Sequence, residues 1–271
     1  GQIGINLRRS FMIRGLWTAA SGMVSQQTRI DVISNNLANV NTAGFKKSRS
    51  NFQDLMYQTL LIAGASTPGG GQVPTGIQVG MGAKTSGVQK IFTQGDYVQT
   101  GNELDMAIEG KGFFKVLKGD EEFYTRAGNF MLDSEGYITN SSGDRLQPEI
   151  SLPEDTVLIS IQSNGQLTAY GAGNEELTTA EIYLYSFANP AGLYAAGNNL
   201  LRPTEGSGEP IEGTPGSDGF GTISNTFLEN SNVSVVEEMV EMIVSQRAYE
   251  ANSKAIQTAD NMLQMANNIK R

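Results

Sequence analysis

The chain has 271 residues, 28 acidic against 19 basic, a net charge of -9, 39% hydrophobic residues, 32 glycines, and neither Cys nor His. Without His or Cys there is no imidazole base, no Ser-His or Cys-His nucleophile pair, no thiolate or imidazole metal site and no disulfide. The acidic balance sets aside binding of nucleic acid through bulk charge, and no apolar run reaches the ~18 residues of a membrane-spanning helix.

Residues 1–11 read as a leader or extension outside the fold, ahead of a start at Met12. Arg8-Arg9-Ser10-Phe11-Met12 has the look of a twin-arginine export signal. Behind it, Arg14, Ser21, Ser25, Gln26 and Gln27 leave no apolar signal region. Passage out of the cytoplasm is therefore expected without a cleaved signal peptide.

From Leu16 to Val40 the spacing predicts a heptad helix. Leu16, Met23, Ile30 and Leu37 recur every seven residues, with Ala19, Ile33 and Val40 offset by three and Gln26 interrupting that second row. Only Arg29 and Asp31 are charged in this stretch. A helix with a water-facing side normally carries Lys and Glu there. Ser, Thr, Asn and Gln in their place predict that its other faces also meet protein. Lys46, Lys47 and Arg49 follow as a short basic cluster, read as a solvated face or a polar contact with a neighbouring subunit.

Eight glycines lie between Gly64 and Gly87 and eight more between Gly192 and Gly221, both stretches with prolines. They read as loops or linkers. Between them the pattern is of short strands: Gly112–Leu117, Glu122–Arg126, Asn129–Leu132, Val157–Ile161, Gln166–Tyr170 and Glu181–Phe187. Asn164-Gly165 is a strong hairpin signal.

The C-terminal end returns to helical spacing. Val235, Met242, Tyr249, Ile256 and Leu263 lie seven apart, flanked by Val236, Met239, Ile243, Ala259 and Ala266. Asn232 or Ser234 is placed to cap this helix, and Glu237, Glu238 and Glu241 sit where the helix dipole favours acid. So long a helix at a chain end needs a partner along its length, and the N-terminal helix supplies it.

The expected fold is therefore α+β: long terminal helices paired as a coiled-coil-like domain, with an inserted, mostly antiparallel β domain. Residues 12–48 and 228–271 form the discontinuous helical domain, 49–95 and 215–227 an extended linker region, and 96–214 the β domain.

Motifs for chemistry fail on inspection. Gly82-Ala83-Lys84-Thr85 has Ala where a P-loop needs Gly, and neither Gly80-Met81-Gly82 nor Gly110-Lys111-Gly112 completes a dinucleotide fingerprint. No Lys follows a Ser by three residues, and Asp133-Ser134-Glu135-Gly136 and Asp218-Gly219 do not continue as calcium loops. No catalytic residue, cofactor or metal ligand is assigned.

Three blocks resemble the bacterial flagellar rod and hook family. They are Ser34-Asn35-Asn36-Leu37-Ala38-Asn39-Val40-Asn41-Thr42-Ala43-Gly44-Phe45-Lys46, then Ile108–Val116 with Tyr124-Thr125-Arg126-Ala127-Gly128-Asn129-Phe130, and finally Leu228-Glu229-Asn230-Ser231-Asn232-Val233 with Ser245–Lys254. Within the family, chain length and the segment from Met56 to Gly80 are most like the distal rod member. The resemblance implies a torque-transmitting structural protein that self-assembles into a hollow helical homopolymer. Its implied partners are proximal rod proteins, the hook protein, the surrounding basal-body rings and the flagellar export apparatus, with no nucleic acid and no membrane insertion.

Seam or subunit-interface roles are expected for Leu16, Met23, Ile30, Ile33, Leu37, Met242, Tyr249, Ile256 and Leu263. Asn36, Asn39, Asn41, Thr42, Gly44 and Phe45 are expected to close the first helix, with Gly44 in a conformation that a Cβ would disfavour. The rivals are another axial component, either a proximal rod or a short hook protein, and a secreted peptidoglycan-cleaving enzyme. The enzyme would need a raised-pKa acid beside a second carboxylate in a cleft.

Overall fold

The computed structural model describes residues 2–64, 74–173 and 175–268, with side chains from residue 14 onward apart from 266 and 267. The side chains of Arg8, Arg9 and Ala266 and the run Gly69–Gly71 lie outside the described residues. The chain is α+β, with helices at both ends that touch one another and a mostly antiparallel β region between them in sequence. It divides into two compact units, one of residues 1–37, 48–89 and 235–271, the other of 38–47 and 90–234.

The first unit holds helix α1, Gln2–Ala38, and helix α2, Val235–Asn268. Helix α1 thus begins within the stretch read as a leader. The helices run antiparallel. Gly22 lies beside Asn252, Arg29 Nη2 is 3.2 Å from Glu241 Oε2, and Asn36 Nδ2 is 3.0 Å from Glu238 Oε2. In the same unit the strands Ser48–Asp54 and Ala83–Lys90 pair, as do Tyr57–Leu61 and Ile77–Gly80. The Ser21 hydroxyl accepts from Ala83 N, which ties α1 to the first of these pairs.

The second unit is built on a seven-stranded antiparallel sheet in the order Tyr194–Gly197, Leu200–Arg202, Glu121–Thr125, Phe114–Lys118, Arg145–Gln147, Ile138–Thr139, Met131–Leu132. A three-stranded sheet, Thr156–Ile161, Gln166–Gly171 and Glu176–Glu181, lies beside it in sequence, its first turn at Asn164-Gly165 as the hairpin signal requires. Alternating residues of both sheets meet in one apolar core that includes Phe114, Val116, Phe130, Leu146, Ile161, Leu167 and Leu184. A smaller aromatic core joins Phe113, Tyr124, Tyr185 and Phe187, with Tyr124 and Phe187 edge-to-face at 4.9 Å.

Two strand readings change. Glu181–Phe187 is not one strand: it breaks at Ile182, whose N–H turns to Gly165 O at 2.8 Å, and resumes at Leu184–Ser186. The second Gly/Pro stretch is more than a linker, because Leu200 and Leu201 are buried and carry a strand into the seven-stranded sheet. A pair of buried leucines outweighs the surrounding turn formers.

Candidate functional site: the helix pair and a buried carboxylate

Helix α1 turns one face to α2, and the sequence-derived seam divides there by depth. Ile33 is buried, while Leu16, Met23, Ile30 and Leu37 are half-buried. On α2, Met242, Ile256 and Leu263 are half-buried and Tyr249 is exposed. Val236, Met239 and Ile243, expected to flank the seam, are exposed as well. The deepest positions of α2 are polar: Glu238 and Ser245 are buried, and Asn252, seven residues on, meets Gly22 of α1. The least exposed row of α2 is therefore Glu238, Ser245, Asn252 and Ala259 alternating with Met242, Ile256 and Leu263. Reading only apolar recurrence misses the polar half of such a row.

Its two buried polar groups, Glu238 and Ser245, are paired. Asn36 Nδ2 donates to Ser48 O at 2.9 Å and to Glu238 Oε2, while Asn36 Oδ1 accepts from Ser48 N at 2.9 Å. The Ser245 hydroxyl donates back to Glu241 O at 2.8 Å.

Beyond Ala38 the chain turns through Asn39–Thr42 into the second unit. Thr42 N donates to Asn39 O and Thr42 Oγ1 to Asn39 Oδ1, both at 3.2 Å, and Asn41 is exposed. Gly44 has φ +70°, and a Cβ there would stand 2.5 Å from Ala127 N. This close approach lets Gly44 N donate to Glu229 O at 2.7 Å and seats the buried Phe45 beneath Lys90.

Around that turn lies a buried, multiply bonded carboxylate. The Glu229 carboxylate is buried and accepts from Lys46 Nζ at 2.5 Å, Gly95 N at 2.9 Å and Arg126 Nε at 3.0 Å. Arg126 spends its four other donors on Gly110 O, Gly112 O, Ile108 O and Gln94 Oε1, at 2.7–3.2 Å. Lys46 donates also to Thr93 O at 2.8 Å. Burial pulls the Lys46 ammonium below its ordinary pKa, with the hydrogen bond to Glu229 acting in the opposite direction. Burial, with the Glu229 charge behind it, pushes the nearby Tyr97 phenol up to about 12. With both carboxylate oxygens, all five Arg126 donors and two Lys46 donors engaged, this arrangement fastens distant chain segments together.

The reading of Lys46 as solvated is thus overturned by a carboxylate 183 residues further along. Asn232 does not cap α2. It accepts from Lys47 N at 2.7 Å and donates to Ile91 O and to Thr93. Arg126 and Glu229 were not singled out, although a signal was present. Arg126 is the lone charge of Tyr124–Phe130 and Glu229 of Leu228–Val233, as Lys46 is of Ser34–Lys46.

One open groove is lined by Glu103, Asp133, Glu135 and Glu154 among others. Glu103 accepts from Ile159 N, Asp133 from Ser134 N, and Glu135 pairs with Arg145. Three of these four acids are thus occupied with turns and ion pairs. Among the described residues no cluster of metal-ligating side chains occurs, and no helix is long and apolar enough to cross a membrane.

Residues 16–46 match the flagella basal body rod protein family, 107–169 the flagellar hook protein FlgE/F/G D1 domain, and 224–269 the flagellar basal body rod FlgEFG protein C-terminal family. The flagellar basal-body rod protein FlgG of Borreliella burgdorferi is 50% identical over 264 residues, covering 96% of this chain and all of that one. The chain belongs to the FlgG family of flagellar basal-body rod proteins. FlgG of Caulobacter vibrioides is 44% identical over 95% of this chain and the whole of its own length. The flagellar hook protein FlgE of Borreliella burgdorferi is 45% identical but over only 50% of this chain and 31% of its own. As a FlgG-family chain it is a structural protein and not an enzyme. Lys46, Arg126 and Glu229 come one from each of the three matched regions, so the buried carboxylate is where those regions meet.

Proposed function

We propose that the protein is an axial subunit that polymerises into the hollow distal rod of the flagellar basal body and carries torque from motor to hook. The observation that carries this reading is full-length similarity to FlgG proteins, against similarity to a hook protein over half the chain. The helix pair supports it physically. One chain leaves Trp17, Val24, Val236, Val240, Ile243 and Val244 exposed on the two helices, a surface suited to burial among many copies. A contact that does not close on itself extends into a helical filament. The seam and interface roles of Leu16, Met23, Ile30, Ile33, Leu37, Met242, Tyr249, Ile256 and Leu263 belong to this inner tube.

Proximal rod proteins below, the hook protein above and the basal-body rings around the shaft are the partners that follow. Passage through the export apparatus as an unfolded chain suits a sequence that has no disulfide to form.

The test is complementation of a mutant lacking this chain, followed by helical reconstruction of the isolated basal bodies. A straight, continuous shaft between the proximal rod and the hook, traced with this chain, is expected. Density for the chain in a supercoiling hook segment would overturn the distal assignment.

A further inference from the structure

Both helices carry a second exposed row, opposite the seam that joins them. With about 100° between successive residues, Trp17 and Val24 lie across α1 from Gly22, Arg29 and Ile33. Likewise Val236, Val240, Ile243 and Arg247 lie across α2 from Glu238, Met242 and Ser245. Trp17, the only tryptophan of the chain, is 68% exposed, Val24 67%, Val236 72% and Val240 56%. Arg247 is exposed and enters no ion pair among the described residues. Both rows stand exposed among the described residues.

We infer that they are two halves of one head-to-tail contact: the Trp17–Val24 face of one copy receives the Arg247–Val240 face of the next, with the Arg247 guanidinium over the Trp17 ring. The inference rests on the polymer reading above and specifies its lateral contact. The spacing supports the match. When two copies point the same way, α1 of one runs antiparallel to α2 of the other, as it does to its own α2. Stepping seven residues forward from Trp17 to Val24 then corresponds to stepping seven back from Arg247 to Val240. Valine meets valine, and the exposed tryptophan meets a cation outside any ion pair among the described residues, the pairing an indole face favours.

Because the faces differ and lie on opposite sides of the helix pair, the contact cannot close a symmetric dimer, so it propagates. The register also sets a stagger. Within one chain the contact at Gly22 and Asn252 places the Trp17–Val24 stretch opposite α2 residues beyond the Val240–Arg247 stretch. The offset is about ten residues, so adjoining copies shift along the axis by ~15 Å.

The chain has no cysteine, which makes the test clean. Full-length Val24→Cys/Val240→Cys protein is expressed in cells lacking the native chain, and isolated basal bodies are oxidised and run without reductant. The two cysteines cannot join within one chain, because outward faces of packed helices exceed the ~7 Å Cα separation a disulfide allows. A covalent ladder is expected from the double variant and no dimer from either single variant. Adding Arg247→Ala should reduce the ladder about two- to fivefold, and Arg247→Lys should retain most of it. Dimers from Val24→Cys alone, or rods that assemble without a ladder, would overturn the inference while leaving the axial reading intact. If the double variant builds no rods, Ala20→Cys/Val244→Cys on the same faces is read by the same criteria. Absence of rods even with the unsubstituted chain would instead overturn the axial reading beneath it.

Discussion

Arg126 Nε stands 3.0 Å from Glu229 Oε2 with both side chains withdrawn from water, and Lys46 closes on the other carboxylate oxygen. Two cations share one anion in the interior. Such a group contributes little beyond what a well-packed apolar one would, but removing a single partner strands the others. Glu229→Ala leaves both cations unpaired and is expected to cost about 3–5 kcal/mol in urea unfolding of the full chain. Lys46→Met keeps the Arg126 and Gly95 bonds and should cost clearly less. Equal losses for the two would contradict this ordering.

Glycine positions give opposite signs. At Gly44 the positive φ and the backbone of Ala127 leave no place for a methyl group. Gly44→Ala should lower stability by more than about 1 kcal/mol. At Gly22 a Cβ would meet only the end of the Asn252 side chain, inside a helix where alanine is favoured by about 1 kcal/mol. Gly22→Ala should leave stability unchanged or raise it. Thermal unfolding of the two variants side by side checks the pair.

Asn36 satisfies both polar groups of the Ser48 backbone and one oxygen of buried Glu238. Asn36→Ala orphans these groups, at about 1–3 kcal/mol. Asn36→Asp sets a second carboxylate against Glu238 and should be worse at pH 7. The like charges raise the folded pKa values above the unfolded ones, so the extra deficit applies above the carboxylate range and shrinks as pH falls toward ~4. Unfolding curves at pH 7 and pH 4.5 would show it, and a pH-independent deficit would contradict it.

Burial raises the phenols of Tyr97, Tyr124 and Tyr185, with Glu229 adding to the first, Glu122 to the second and a hydrogen bond to Glu212 to the third. A raised folded pKa means stability that is fully present below the ordinary value of 10 and lost as pH climbs past it. Stability should therefore fall from pH 10 toward pH 12. The lowered Lys46 pKa acts in an earlier window: below its ordinary 10.5 it makes stability rise with pH, so Lys46→Met should flatten that rise and leave the fall toward pH 12 to the tyrosines. Phenolate absorbance should lag the ordinary tyrosine titration until the chain unfolds.

Much of the architecture was legible because it rests on repetition. Seven-residue spacing from Leu16 to Leu37 and from Met242 to Leu263 marks two helices, and Asn164-Gly165 marks a hairpin, since each signal lies within one short stretch. The second Gly/Pro stretch was less legible, because Leu200 and Leu201 form a strand only where a neighbouring strand is waiting. The polar half of the helix seam was not legible at all. Glu238, Ser245 and Asn252 have the recurrence of a contact row and the chemistry of a surface one.

By itself, then, the sequence determined the helical ends, the strand-rich middle, the absence of cysteine and histidine chemistry and the motif blocks that carry the family. Only the tertiary structure decided that Lys46, Arg126 and Glu229 are one buried group, and that Asn232 fastens loops where a helix cap was expected. The reason is physical. Periodicity is local and survives in one dimension, whereas the fate of a charge depends on what reaches it across space. A lone lysine reads as surface until a carboxylate 183 residues away follows it into the interior.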